Sequence, residues 1–386
     1  MLLFKNANVI FENEARLCDV LVKDGKIAQI GEGISCENAE IIDCDGLYLS
    51  AGLIDLHVHG GGGFSAMGTA DDIVKMSEAH LKNGVTSILP TSLAADLNTL
   101  EKVIENTREA QRINPNILGV HLEGPFLSPE MCGAQNTQNL AVPADTDYKP
   151  FFERNADMIR MVGTAPELDG ANRLGEYLDS KGIVVSVAHS SGDYNTAKQA
   201  LNYGFSDITH IYNACTSCRK DGAFRRAGTV EAGLTLDGYT VQAIADLKHL
   251  PAEILELIFR CKGADKMYLI SDGLEFSATR LREGMTVVQK NGVEAVCSDG
   301  AMLTADRSKL AGGASSGIEL VKNMYESTSA NLFEAIKMMT LTPARLTGVD
   351  SHKGRIAEGY DADIILFDYD FTLRGIYRNG KSVIGY

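Results

Sequence analysis

The chain has 386 residues, a net charge of −15, 45% hydrophobic residues and 23% charged residues. That balance reads as a soluble globular protein with room for one large domain and a smaller one, and its acidity excludes a general nucleic-acid binder. No apolar run approaches the ~18–20 residues of a membrane span, and the opening MLLFKNANVIFENE has no signal-peptide architecture, so a cytoplasmic protein is expected.

Residues 1–50 read as short strands: LLFKNANVIF, ARLCDVLVKDGKIAQIG and AEIIDCDGLYLSAG cluster or alternate apolar residues around D-G turns. The KDGK at 23–26 is a strong hairpin signal. From residue 51 apolar strands alternate with helical stretches of roughly 12–20 residues, the rhythm of a parallel α/β fold. These strands end near His59, Pro90, Glu123, Thr164, His189, His210, Ala245 and Asp272. Eight β/α units suggest a TIM-type barrel. An open doubly wound sheet is the alternative, and the lack of a G-x-G-x-x-G after the first strand weakens its nucleotide-binding form.

Past Asp272, MTVVQKNGVEAVCSDG reads as a hairpin with an N-G turn at 291–292. Helices are expected near 317–328 and 332–340, and GRIAEGYDADIILFDYDFTLRGIYRNGKSVIGY returns to short strands. The expected architecture is a (β/α)8 barrel over 51–345, carrying a small discontinuous β-sandwich domain built from 1–50 and 346–386. The eight scattered cysteines form no framework and are expected as reduced thiols. Cys215 and Cys218 make a C-x-x-C, but no second pair completes a zinc knuckle.

In such barrels the chemistry sits at the C-terminal strand ends. Here those ends carry His57 and His59, Glu123, His189, His210 and Asp272. Residues i and i+2 of a strand point the same way, so the histidines of GLIDLHVHG are expected on one side. One histidine at a strand end is ordinarily a packed, hydrogen-bonded residue. Six nitrogen and oxygen donors at five strand ends predict a site for zinc or a similar divalent ion. Such an ion activates water and polarises a carbonyl. A nearby aspartate, Asp272 by position, would carry the proton from water to the leaving amine of a cleaved amide.

The D-x-H-x-H of the first strand and the tail GRIAEGYDADIILFD resemble the amidohydrolase superfamily. GVHLEGPFLSPEMCGAQ at 119–135 is similar to the N-acetylglucosamine-6-phosphate deacetylase family, as are SVAHS at 186–190, THIYNA at 209–214, IADLKH at 244–249 and LAGGAS at 310–315. The fourth strand ends MVGTAPE, without the carboxylated lysine of many amidohydrolases, so the resemblance makes Glu123 the bridging acid. It implies one metal on Glu123, His189 and His210 and a second on His57 and His59, with Asp272 as the acid/base. The ion is expected to be zinc, with iron, manganese and cobalt as alternatives. For the substrate, an amino-sugar phosphate, it implies contacts from Gln135 (histidine in many members), Asn213, Ala214, His249, Leu310, Ala311 and Gly312. The usual Arg-Glu-Pro-Gly loop is replaced by CTSCRKDGAFRRAG, and alignment on Gly228 puts Arg225 at the phosphate-binding arginine. A homodimer is implied by the resemblance alone. The competing functions are deacetylation of N-acetylgalactosamine 6-phosphate or of an unphosphorylated N-acetyl sugar, and a catalytically silent binding protein on the same barrel.

Overall fold

The computed structural model describes residues 1–279, 281–288, 292 and 294–385. Strand Leu2–Ile10 pairs on one side with Ala15–Lys23, which turns back into Lys26–Gly31. Asp24 and Gly25 both have positive φ (50° and 78°), as the two-residue turn of KDGK requires. On its other side Leu2–Ile10 forks. Its first half pairs with Glu40–Asp43 and its second with Tyr48–Ala51. Tyr48–Ala51 then takes Ile364–Phe367 from the far end of the chain, followed by Leu373–Arg378 and Lys381–Ile384. The fork lets the branches close over one apolar core, to which Phe4, Val20, Ile42, Leu49 and Ile364 all contribute.

The middle of the chain forms a nearly closed (β/α)8 barrel. Its parallel strands follow in chain order: Leu53–Val58, Val85–Ser92, Val120–Glu123, Ile159–Thr164, Val184–Val187, Phe205–Ile208, Thr240–Ile244 and Met267–Ile270. The eight expected strands are therefore present. At the C-terminal rim the ends meet, where Val58 bridges Gly273 and the Asp272 amide donates to the His57 carbonyl at 2.9 Å. That closure brings the last strand end against the first. The helix Ala70–Leu81 shows how the outer layer forms. Thr69 and Asp72 make a capping box at its start, and Ile73, Met76 and Leu81 are buried in the main core with Leu53 and Val85. Burying each of these side chains contributes about 1.5–3 kcal/mol.

After Ile270 the chain leaves the barrel plan. A three-stranded antiparallel sheet, Thr286–Val288, Glu294–Ser298 and Ala301–Thr304, stands on a small core of Leu274, Phe276, Cys297, Met302 and Ala311. The strands flanking the expected hairpin pair, while the 291–292 turn lies partly outside the described residues. The insertion is clamped at its base by a Gly273–Gly313 bridge. A Cβ on Gly313 would fall 1.9 Å from the Ser271 carbonyl oxygen, so a side chain there is excluded. Helices Ile318–Ser327, Leu332–Lys337 and Leu341–Leu346 complete the wall.

Barrel and β sheet are tied together beneath. The buried Lys353 ammonium lies 2.6 Å from Asp363 and 2.9 Å from Asp361, and donates to Asn116 at 3.3 Å. All eight cysteines are free thiols, Cys215 and Cys218 among them. No helix among the described residues is long and apolar enough to cross a membrane.

Candidate active site

The first strand places His57 and His59 on one side, as alternation requires, with their Nε2 atoms 3.1 Å apart. Glu123, from the third strand, stands between four imidazoles. Its Oε1 is 3.0 Å from His210 Nε2, 3.2 Å from His189 Nε2 and 3.5 Å from His57 Nε2, and its Oε2 is 3.4 Å from His59 Nε2. Asp272 Oδ1 closes the other side, 3.2 Å from His59 Nε2 and 3.4 Å from His57 Nε2. The site thus holds two donor groups that share Glu123: His57 with His59, and His189 with His210.

Each imidazole is aimed by what its Nδ1 touches. Nδ1 of His57 faces Gln242 Oε1 at 2.8 Å, that of His59 the Thr91 carbonyl at 3.1 Å, that of His189 the Met131 carbonyl at 2.8 Å and that of His210 the Asn213 carbonyl at 3.2 Å. All four partners are oxygens, so each Nδ1 carries hydrogen and donates, and each Nε2 presents a lone pair to the centre. Lone pairs then oppose each other across 3.1 Å (His57 and His59) and 3.3 Å (His189 and His210). That arrangement repels unless a proton or a metal ion lies between them. It is the tautomer and outer-shell pattern of imidazoles that ligate metal, and the donor set fits a divalent ion of the zinc type.

The electrostatics agree. Burial opposes charge on His59, but Asp272 and Glu123 outweigh it and hold the imidazole up, to about 10. Burial prevails at His57, which is pushed down to about 4. Burial likewise opposes ionisation of Glu123, yet His189 and His57 hold its carboxyl well below the usual carboxylate range. At Asp272 burial is again overcome, by His57 and His59, and the carboxyl falls to about 2. A cluster that stabilises a proton this strongly also favours a metal ion.

The backbone is strained where the donors sit. His189, His210 and Asp272 have φ of 46°, 27° and 47°, a left-handed conformation that costs non-glycine residues about 1–3 kcal/mol each. The strain turns each side chain inward just past its strand. At Gly61, two residues past His59, a Cβ would lie 2.4 Å from His80 Nε2. That imidazole holds the glycine loop through the Gly60 carbonyl at 2.8 Å and the insertion through Ser316 at 2.7 Å.

Above the donors lies a cavity of roughly 390 Å³. Of the expected contacts, Gln135, Asn213, Ala214, His249, Leu310 and Gly312 line it. Gln135 is held between the Ala94 amide, which its Oε1 accepts at 3.0 Å, and Glu123 Oε2, to which it donates at 2.6 Å. Its amide is spent orienting Glu123. His249 donates Nδ1–H to Asp246 at 2.7 Å, which leaves Nε2 for a ligand. Ala311 does not line the cavity, because it is buried in the core of the insertion and its amide bonds the Met302 carbonyl. Nor does Arg225. Residues 219–226 fold back as a two-stranded ribbon, with Arg219–Asp221 against Phe224–Arg226, and the pairing carries the whole ribbon into solvent. The expectation that Arg225 reaches this chain's own cavity is corrected accordingly.

Sequence reasoning missed Gln242, Thr91, Met131, Glu130 and Lys309. Only Gln242 left a signal, as a polar residue inside the apolar strand TVQAIA. It also donates to Asp207 at 2.9 Å, within a buried net where Asp207 accepts from Ser186, Thr240 and Tyr268.

The amidohydrolase family profile matches residues 48–383. The chain is similar to an N-acetylglucosamine-6-phosphate deacetylase of Haemophilus influenzae, with 32% identity over 88% of this chain and 87% of the relative. It is also similar to an N-acetylgalactosamine-6-phosphate deacetylase of Escherichia coli O157:H7, with 30% identity over 93% of each. Among solved structures, an N-acetylglucosamine-6-phosphate deacetylase from Pasteurella multocida superposes with a TM-score of 0.92 at 29% identity, covering 100% of both chains.

Proposed function

The chain belongs to the amidohydrolase family, and from that premise we propose that it hydrolyses the acetamide of N-acetylglucosamine 6-phosphate to glucosamine 6-phosphate and acetate. The observation that carries the reading is the pair of imidazole groups sharing Glu123, open to a cavity, with Asp272 at 3.2–3.4 Å from two of the rings. Relatives with the same named activity support the substrate class.

Glu123, His189 and His210 would hold one divalent ion, and His57 and His59 a second. The imidazole and carboxylate donors make zinc the ion of choice. A bound ion supplies Lewis acidity to an acyl carbonyl and to an attacking water. The chain's residues do the rest. Asp272, ionised at neutral pH, takes the proton from the attacking water and delivers it to the departing amine nitrogen. Gln135 keeps Glu123 oriented. His249 Nε2 and the Asn213–Ala214 turn bind the sugar phosphate. The enzyme is proposed to act in the cytoplasm as a homodimer, with Phe224, exposed on the 219–226 ribbon, as apolar surface for a second copy.

Acetate release from a panel of N-acetylhexosamines, phosphorylated and free, tests the reading, with enzyme stripped of metal and reloaded with zinc, iron, manganese or cobalt. The expected result is highest kcat/KM on N-acetylglucosamine 6-phosphate. Preference for the galactose epimer would reassign the sugar, and no acetate from any of them would overturn the activity.

A further inference from the structure

We propose that Asp207, which hydrogen-bonds none of the site's imidazoles itself, is the positioning residue that decides which ring nitrogen of His57 faces the metal site. The proposal deepens the metal-hydrolase reading above and rests on it. His59, His189 and His210 each set Nδ1 against a backbone carbonyl, whose polarity the chain fixes covalently. Of the four, only His57 relies on a side-chain amide, Gln242 at 2.8 Å. A carboxamide turned by half a revolution exchanges its oxygen for its NH2 in nearly the same space. Gln242 therefore orients His57 only if something orients Gln242.

The centre of the site pulls the ring hydrogen the other way. Glu123 Oε1 lies 3.5 Å and Asp272 Oδ1 3.4 Å from His57 Nε2, and either carboxylate would accept a hydrogen placed there. A hydrogen on Nε2 removes the lone pair that an ion needs. Asp207 opposes this from behind. It stands on the sixth barrel strand, fully buried. Its Oδ2 accepts from Gln242 Nε2 at 2.9 Å, Ser186 Oγ at 2.9 Å and Tyr268 OH at 3.1 Å, and its Oδ1 accepts from Thr240 Oγ1 at 2.6 Å. An oxygen already accepting hydrogens on three sides tolerates only the NH2 of Gln242. On the far side the His210 backbone amide, which can only donate, faces Gln242 Oε1 at 3.5 Å. Turning the carboxamide would set oxygen against oxygen at Asp207 and NH2 against N–H at His210. The polarity thus runs one way, from the Asp207 acceptor through Gln242 to Nδ1–H of His57, and leaves Nε2 bare. A buried carboxylate is otherwise costly. Here donors from three other strands satisfy it, and the Gln242 contact gives it a use beyond packing.

The test needs no turnover. Full-length protein with isotope-labelled histidine is stripped by chelator, its ring tautomers are read by NMR at neutral pH, and it is then titrated with zinc against a competing chelator. In wild type His57 should carry its hydrogen on Nδ1. In Asp207→Leu hydrogen should appear on Nε2, and the zinc step seen at the His57 and His59 rings should weaken about tenfold, the lower end for loss of an outer-shell partner because Gln242 still visits the right orientation. The Glu123–His189–His210 step should stay within about threefold. Asp207→Asn still offers Gln242 an oxygen and should match wild type. Adding Gln242→Glu to Asp207→Leu should recover the lost affinity, since a carboxylate gives His57 an acceptor whichever way it turns, and a merely structural Asp207 predicts no such rescue. A folded Asp207→Leu with the wild-type tautomer and both zinc affinities unchanged would overturn the proposal. Should that variant fail to fold, a neutron structure of the chelated wild type decides. Deuterium on Gln242 Nε2 towards Asp207 and on His57 Nδ1 upholds the assignment, and deuterium on His57 Nε2 overturns it. A chain that behaves as described yet releases no acetate from any N-acetylhexosamine would keep the role of Asp207 and sink the deacetylase reading. Zinc confined to Glu123, His189 and His210 would sink the role of Asp207 and leave that reading standing.

Discussion

Gln242→Leu isolates the claim that the imidazoles are held as metal ligands by what lies behind them. Gln242 is fully buried. Its Oε1 accepts from His57 Nδ1 at 2.8 Å and its Nε2 donates to Asp207 at 2.9 Å. Leucine fills similar space but leaves a buried imidazole N–H unpaired and takes one donor from a buried carboxylate. Each orphaned group costs about 1–3 kcal/mol, so unfolding stability should drop by about 2–6 kcal/mol. The metal term is separate. Without the amide oxygen, His57 is free to carry its hydrogen on Nε2, the atom that must face the ion. Loss of such an outer-shell partner weakens metal binding about 10–100-fold. Competition with a chromophoric chelator gives the stepwise affinities, and chelator-treated protein followed by circular dichroism gives the folding term. The loss should fall on the His57–His59 step, while the Glu123–His189–His210 step stays within about threefold. A folded variant with both affinities unchanged would refute the reasoning, since His57 would then owe nothing to Gln242.

Asp272→Asn should keep its metal while turnover falls by about 10²–10⁴-fold, because an amide cannot relay the proton. Metal analysis beside steady-state kinetics checks it, and retention of more than about a tenth of turnover would remove Asp272 from the proton path. Asp55 is buried under the site, and burial pushes its carboxyl up to about 6. The folded chain therefore holds a proton there that the unfolded chain releases near pH 4, so this group's stabilisation is present below that pH and is lost as pH rises towards 6. The loss is about 3 kcal/mol. Other groups, His57 among them, titrate in the same window in both proteins, so the test is the difference: in urea unfolding of chelated protein, the stability of wild type relative to Asp55→Asn should fall by about 3 kcal/mol between pH 4 and 6, and parallel curves would contradict it.

The sequence made the barrel legible because its strands are apolar runs broken by helical periods, and the donors legible because polar residues end those runs. His57, His59, Glu123, His189, His210 and Asp272 meet because they share the C-terminal rim, which strand order alone determines. Residues that act across the chain were not legible. Lys309 reaches the cavity through an insertion whose turn depends on Asp306 and Thr304, and nothing local says which way that arm returns. Gln242 stands out only as a polar residue in an apolar strand, and its role is hidden until its neighbour in space, His57, is known. Arg225 misled for the converse reason. A cluster of arginines beside a ligand-bearing strand suggests an overhanging loop, but the antiparallel pairing of 219–226 sends it outward. Gln135 sits where expected, yet its partner is Glu123, a contact the motif does not encode.

A crystal structure of Asp272→Asn loaded with zinc and N-acetylglucosamine 6-phosphate tests the central claim most directly, since the variant should bind the substrate without turning it over. The account predicts zinc on Glu123, His189 and His210, the acetyl carbonyl directed at that ion, the amide nitrogen beside residue 272, and the sugar phosphate against His249 and the Asn213–Ala214 turn. A sugar bound with its acetamide turned to solvent, or zinc bound away from Glu123, would contradict it.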